Sequence, residues 1–218
     1  MIVIKIGGAE GIDYDVFLED LARHKNFVLV KGGSYETNVV SKKLGKPPRF
    51  LKSASGFTSR YTDKETLEIF TMVYAGKMNK MVVEKLQKLG VNAIGLSGID
   101  GRLMIGKRNS AVKIIEDGKK KIVRDDYTGK VEKINVALLK LFLDNGYMPV
   151  ITAPALSYEN EAINVDLDPA AATIAAQLKA EILIIFSNIP GLLKNKDDES
   201  SLIKEIRKED IDNFMQYA

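Results

Sequence analysis

Lys5 lies in an otherwise apolar run, residues 1–6, that ends at Gly7-Gly8. A lysine inside an apolar strand is costly unless its amine reaches an anion or an acid. The two glycines that follow allow backbone N–H groups to approach an oxyanion closely. A second pair, Gly32-Gly33, followed by Ser34, ends the apolar run 27–30 and precedes a helix, whose N-terminus favours negative charge. One such pair alone reads best as a tight turn. Two pairs ending neighbouring strands favour phosphate chemistry. Asp166 and Asp168 stand at the head of an alanine-rich segment. Asp168 followed by Pro169 reads as an N-cap and first helical residue, and equally as a carboxylate that orients a lysine or Mg²⁺. Arg60, in a Ser-Arg-Tyr-Thr segment, is either a surface arginine or a two-pronged clamp for a carboxylate. Asn164 either satisfies loop backbone or contacts a ligand. The one histidine, His24, ends a surface helix and reads as structural.

These residues need elements to hold them. Strands are expected at 1–6, 27–30, 91–96, 148–152 and 182–186, each bounded by turn signals. Helices are expected at 14–24, 36–44, 63–89, 135–145, 168–178 and from 209. Gly45 and Gly146 are stop signals, and Thr62-Asp63-Lys64-Glu65 resembles a capping box. Short alternating strands at 103–107, 112–116 and 121–124, with a turn at 116–118, predict a hairpin insertion over one end of the sheet. Residues 46–59 and 153–163 read as loops. The order gives an α/β sandwich with a mainly parallel sheet, whose ligand lies beyond the carboxyl ends of the strands. Gly101–Arg108, GRLMIGKR, nearly spells a phosphate loop. Its middle reads as a strand, however, and Arg108 stands where that motif needs a hydroxyl.

The 218 residues are 45% hydrophobic and 28% charged, an ordinary globular balance. No segment approaches the roughly 20 apolar residues of a membrane span, and no signal-peptide layout opens the chain. A cytoplasmic protein is the expectation. With no cysteine there is no disulfide or thiolate site, and with one histidine a Ser-His-Asp triad is disfavoured. The net charge of +3 is well short of a typical nucleic-acid binder. The excess clusters at Lys42–Lys52 and Lys119–Lys121, which reads as a solvated surface or as a dock for an acidic partner.

Taken together, MIVIKIGGAEG, VKGGSYETN, SRYTDKETLEIF, GLSGIDGRL, DYTGKV, ALSYENEAIN and SNIPGLL resemble the amino acid kinase family, from Met1 to about Ile206. Within it the chain is most similar to the acetylglutamate kinase branch. KPPRFL, TLEIFTMVYAG and ALSYENEAIN match a subgroup that acts on amino acids held by a carrier protein. The resemblance implies a three-layer αβα sandwich with an open, mainly parallel sheet, the carbamate kinase-like fold. It implies one domain, with an acyl-substrate lobe over about 1–150 and a nucleotide lobe over about 151–218. The implied reaction is phosphorylation by ATP, with Mg²⁺, of the side-chain carboxylate of 2-aminoadipate or glutamate. The amino acid would be attached to a small acidic amino-group carrier protein, in lysine or arginine biosynthesis. The rivals are a kinase of free acetylglutamate and a non-catalytic binding protein of the same fold.

By the same resemblance, Lys5 and Asp168 are catalytic, and Lys5, Gly7 and Gly8 hold phosphate. Gly32, Gly33, Ser34, Arg60 and Asn164 hold the acyl substrate, with all four glycines donating N–H bonds. Ser187, Asn188 and Gly191 fall in the nucleotide loop. A homodimer through residues 63–89 is implied, and carrier dependence implies a basic face from Arg49, Lys52, Lys107 and Lys119–Lys121. Two departures stand out. Leu167 and Pro169 replace a glycine and a polar residue of the family's helix entry. The family also continues with a Gly-Arg-Met-x-x-Lys segment carrying a second phosphate-binding lysine, at about the point where these residues stop. The expectation for these 218 residues alone is a weakened nucleotide site and poor turnover.

Overall fold

The computed structural model describes residues 1–53, 56, 58–116, 119–195 and 197–217. The chain opens with β1 (Ile2–Ile6), α1 (Tyr14–Leu21), β2 (Phe27–Lys31) and α2 (Ser34–Lys43). The Asp13 carboxylate caps α1 by accepting from the amides of Asp15 and Val16, whereas α2 starts at Gly33 with no side-chain cap. A short antiparallel hairpin follows, β3 (Phe50–Lys52) with β4 (Thr58–Arg60), within the segment expected as loop. Next comes a helical rod of α3 (Lys64–Thr71), a π-helical stretch Met72–Met78, and α4 (Asn79–Lys88). The long helix expected over 63–89 is therefore continuous but carries a π segment, a feature that marks functional positions in many helices. Asp63 alone is its N-cap, accepting from the Thr66 amide, while the Thr62 hydroxyl turns back to the Arg60 carbonyl. That corrects the capping-box reading.

The remaining elements are β5 (Ala93–Ser97), β6 (Met104–Arg108), β7 (Val112–Glu116), β8 (Lys119–Val123), β9 (Thr128–Ile134), α5 (Val136–Asp144), β10 (Met148–Thr152), β11 (Ala155–Ser157), β12 (Ala162–Val165), α6 (Leu167–Leu178) and β13 (Ile182–Phe186). Five strands form one parallel sheet in the order β13-β1-β2-β10-β5. Side chains alternate between its faces. Val3, Val28 and Val30 join the core with α6, whereas Ile4, Ile6, Phe27 and Leu29 join Leu18, Leu21, Val82 and Leu86 from α1 and α4. Helices thus cover both faces, giving the αβα sandwich. Phe27, Leu29, Leu86 and Leu139 are completely buried, each contributing roughly 1.5–3 kcal/mol of hydrophobic free energy.

The insertion is larger than a hairpin. β6, β9, β12 and β11 close into a small four-stranded barrel, and β7 with β8 forms a separate ribbon beside it. The segment 153–163, expected as loop, supplies β11 and the start of β12. The turn expected at 116–118 includes residues 117 and 118, outside the described residues. GRLMIGKR contains β6, so it is a strand and not a phosphate loop. The chain divides into two compact units, Met1–Phe186 and a second beginning at Ser187. Within the second unit Leu193 and Leu202 form an antiparallel bridge, and the helix expected from residue 209 is the single turn α7 (Ile211–Phe214) flanked by 3₁₀ turns. Among the described residues no helix is long and apolar enough to cross a membrane.

Candidate active site

The two glycine turns end neighbouring strands and touch. β1 and β2 run in register, Ile6 level with Lys31, so Gly7-Gly8 and Gly32-Gly33 leave the sheet together. A Cβ on Gly8 would fall 2.1 Å from the Gly33 nitrogen, and one on Gly32 would fall 2.8 Å from the Gly8 nitrogen. No side chain fits at either position. The Tyr14 hydroxyl ties the turns by donating to the Gly7 carbonyl at 2.7 Å and the Gly32 carbonyl at 3.3 Å. Burial pushes that phenol well above the ordinary tyrosine range. Ser34 adds a third tie, its hydroxyl donating to the Gly8 carbonyl at 2.9 Å.

Lys5 reaches the acid that its apolar surroundings require. Its Nζ lies 2.5 Å from Asp168 Oδ1 and 3.9 Å from where a Gly7 Cβ would be, so the amine overhangs the first turn. Asp168 is free to make this pair because it is not the helix cap. The cap is Asp166, whose carboxylate accepts from the Asp168 amide at 3.0 Å, and Pro169 sits inside the first turn. The N-cap reading of Asp168 is corrected accordingly.

Arg60 is the last residue of β4, not a loop residue, and is only 9% exposed. Its Nη2 donates to Asn38 Oδ1 at 2.6 Å and to the Ser34 carbonyl at 3.3 Å, while its buried Nη1 has no partner. The Arg60 carbonyl accepts from the Thr62 hydroxyl, and that hydroxyl accepts from Asn164 Nδ2 at 3.0 Å. Asn164 therefore uses its side chain on a side chain, not on loop backbone. The Asn164 amide donates to the Tyr127 carbonyl, and the Tyr127 amide donates to the Thr62 carbonyl. DYTG thus braces this end of the site. Arg108 stacks on Tyr127 at 3.7 Å, and the buried Asp126 carboxyl, raised by burial, leaves Oδ2 without a partner.

One continuous chain of contacts therefore gathers Lys5, Gly7, Gly8, Gly32, Gly33, Ser34, Arg60, Asn164 and Asp168. Ser187, Asn188 and Gly191 belong to the second compact unit, where Gly191 has φ +142°. The backbone donors are fewer than the sequence suggests. The Gly7 amide donates to the Phe186 carbonyl and the Gly32 amide to the Ile6 carbonyl. The Gly33 backbone packs against the Tyr74 ring.

Sequence reasoning missed Tyr74 and Lys31. Tyr74 sits on the π stretch, stacks on Phe70 with centroids 4.0 Å apart, and lies 3.3 Å from where a Gly33 Cβ would be. Lys31 is the last residue of β2 and is completely buried. Its Nζ has no hydrogen-bond partner and stands 5.8 Å from the centre of the Tyr74 ring. Burial lowers its pKa to about 7. The signal was present in the sequence, since a lysine ending an apolar run before Gly-Gly repeats the logic that singled out Lys5.

A profile of the amino acid kinase family matches residues 1–217. A Deinococcus radiodurans protein named LysW-aminoadipate kinase is 55% identical over all of this chain and 76% of its own length. A Thermus thermophilus protein of the same name is 56% identical over 98% of this chain and 81% of its own. Among solved structures, smu.665 from Streptococcus mutans superposes with a TM-score of 0.68 at 24% identity. That match covers 89% of this chain and 75% of the other, and it speaks to the fold alone.

Proposed function

The chain belongs to the amino acid kinase family, and we propose that it transfers the γ-phosphoryl group of ATP to the side-chain carboxylate of carrier-held 2-aminoadipate. The carrier is a small acidic amino-group carrier protein, and carrier-held glutamate is the second acceptor within the same reading. What carries the reading is the Lys5–Asp168 pair over interlocked glycine turns, with the unpartnered Arg60 Nη1 at the other end of the contact chain. The two relatives' names give the same acceptor.

A carboxylate is ionised at pH 7, so no general base is needed. A carboxylate oxygen forms a bond to the γ-phosphorus, the bond to the bridging oxygen of ADP breaks, and ADP leaves with that electron pair. The products are an acyl phosphate and ADP. Catalysis consists of holding two anions in line and stabilising charge on the phosphoryl oxygens. Lys5 does the second task and Asp168 holds its amine over Gly7. Gly8 and Gly33 offer amides to the phosphate. Gly7 and Gly32 contribute space. Arg60 and Asn164 hold the acyl substrate, and Ser187, Asn188 and Gly191 hold the nucleotide. Among the described residues no three acidic or histidine side chains are gathered for a metal. A fit therefore exists only for Mg²⁺ bound mainly through ATP phosphates and water.

Ser53 and Ile114 form an antiparallel bridge, which sets the β3–β4 hairpin beside the β7–β8 ribbon. Lys52, Lys113 and Lys121 are exposed on these two elements, and Lys107 is exposed on β6. They supply a basic face for the acidic carrier. Exposed Met72 and Met81 on the helical rod support a homodimer, in a cytoplasmic enzyme.

The test is hydroxylamine trapping of acyl phosphate with Mg-ATP and each of three acceptors: carrier-held 2-aminoadipate, carrier-held glutamate and free acetylglutamate. It is run on this chain and on the complete reading frame. Trapped product with carrier-held 2-aminoadipate is the expected result. Product from acetylglutamate alone would replace the carrier reading, and no product from any acceptor with the complete frame would overturn it.

A further inference from the structure

Lys31 is a buried ammonium site that nothing among the described residues neutralises. The amine is completely inaccessible, has no hydrogen-bond partner, and closes β2 immediately before the Gly32-Gly33 turn. In parallel pairs, residues in register point to the same face. Lys31 thus shares the face of Ile6, under α1 and α4, while Lys5 shares the opposite face with Val30, under α6, where Tyr74 packs in the same cluster as Val30. Lys31 is held behind the glycine cradle and Lys5 in front of it.

The titratable groups on the surrounding elements do not supply a counter-charge. Tyr74, on the π stretch, and Tyr14, on α1, are neutral at pH 7, both raised by burial. Lys5 and Asp168 are paired with each other, and Lys77 is paired with Glu36. Arg60, which interacts with Tyr74, adds positive charge, and Asp166 is exposed and caps α6. A buried ammonium in such surroundings is stabilised by an anion nearby. Tyr74 provides the link, with its ring facing the Lys31 amine and its edge against Gly33. An anion that takes the Gly33 amide therefore settles beside the ring that faces Lys31.

We infer that Lys31 is a positioning residue that takes up a proton when an anion occupies the glycine cradle, giving the cradle a second positive charge from behind. The inference rests on the reading of the cradle as a phosphate or carboxylate site. By linkage, an anion that raises the Lys31 midpoint by one pH unit binds the protonated protein tenfold more tightly than the neutral one. Affinity for the anion is therefore greatest below neutral pH and falls as pH rises through the free-state midpoint of Lys31, near 7.

The experiment is an NMR titration of the ¹⁵N-labelled lysine amines of the full chain. The Lys31 signal is identified by its loss in Lys31→Met and, independently, in Lys31→Arg. The midpoint is read in the free protein and with pyrophosphate, Mg-AMP-PNP and acetylglutamate, each at 10 mM or about that. The expected result is an upward move of at least about one pH unit with one of these anions, and none with the uncharged control adenosine. A Lys31 midpoint that stays put with all three anions overturns the inference, even if acyl phosphate forms. A midpoint that moves while no acceptor is phosphorylated upholds the anion link and removes the kinase reading.

Discussion

Two stretches of this chain have nearly the same composition and opposite fates. Lys5-Ile6-Gly7-Gly8 ends β1, and Lys31-Gly32-Gly33 ends the neighbouring β2. The first has one residue between the lysine and the glycines and the second has none. Because strand side chains alternate, that single residue sends the two lysines to opposite faces of one sheet. Lys5 meets α6, which carries a carboxylate for it at 2.5 Å. Lys31 meets a π-helical stretch that carries an aromatic ring. One amine is paired with an acid, and the other is buried with its pKa lowered to about 7. Lysine beside glycine is therefore not one motif, since the facing element decides what the amine does.

The comparison is broken most severely at Lys5. Lys5→Met removes the cation over the first turn and should lower kcat for the trapped acyl phosphate about 10²- to 10³-fold, the scale of losing one preorganised charge-stabilising group. Circular dichroism melting should show that the fold persists. If turnover survives, the catalytic cation is elsewhere.

Lys31 predicts a pH signature in stability. Its folded pKa lies near 7, below the unfolded value near 10.4, so the unfolded chain binds more protons between these pH values. Stability from this group is accordingly low below pH 7 and rises by up to about 1.4 kcal/mol per pH unit toward pH 10, then levels off. Urea unfolding of wild type and Lys31→Met across pH 7–10 measures it, with the variant expected to be more stable at pH 7 and to lack the extra rise. Parallel pH curves for the two proteins would show that the Lys31 amine is solvated.

The glycines sharpen the comparison by the smallest amount. Gly8→Ala places a Cβ against rigid backbone on the other turn, and a loss of about 1–3 kcal/mol is expected. Gly7→Ala meets only the flexible end of Ile12 at 2.9 Å and should lose less. Thermal unfolding of both variants checks the ranking, and the reverse order would mean that the turns separate easily.

The central strands and both glycine turns were legible because continuous apolar runs broken by Gly-Gly admit few other readings. So was the importance of Lys5, since burying an amine is costly unless it reaches an anion or an acid. The helix cap was misread because Asp166 and Asp168 are chemically equivalent as caps, and Pro169 is tolerated anywhere in a first turn. β11 and β12 carry little local signal. They are three and four residues long, and each pairs with a barrel strand distant in sequence as well as with the other. The links from Arg60 to Ser34 and from Asn164 to Thr62 are tertiary, and nothing in their neighbourhoods announces them. Lys31 escaped because FVLVK reads equally well as a strand whose last residue reaches water. Its burial depends on where the π stretch places Tyr74.

The parallel order β13-β1-β2 also sets a timetable for synthesis. β1 leaves the ribosome first, yet its two neighbours are β2, made soon after, and β13, which waits for almost the whole first unit. Asp168 emerges only shortly before β13, and the Asn164–Thr62 contact spans 102 residues. At about 5–20 residues per second, a growing chain carries a half-paired apolar strand and an unpaired Lys5 for roughly ten seconds or more. The amine that readies the site is thus made long before the carboxylate that pairs with it, and during that interval the open edge of β1 needs shelter from other nascent chains.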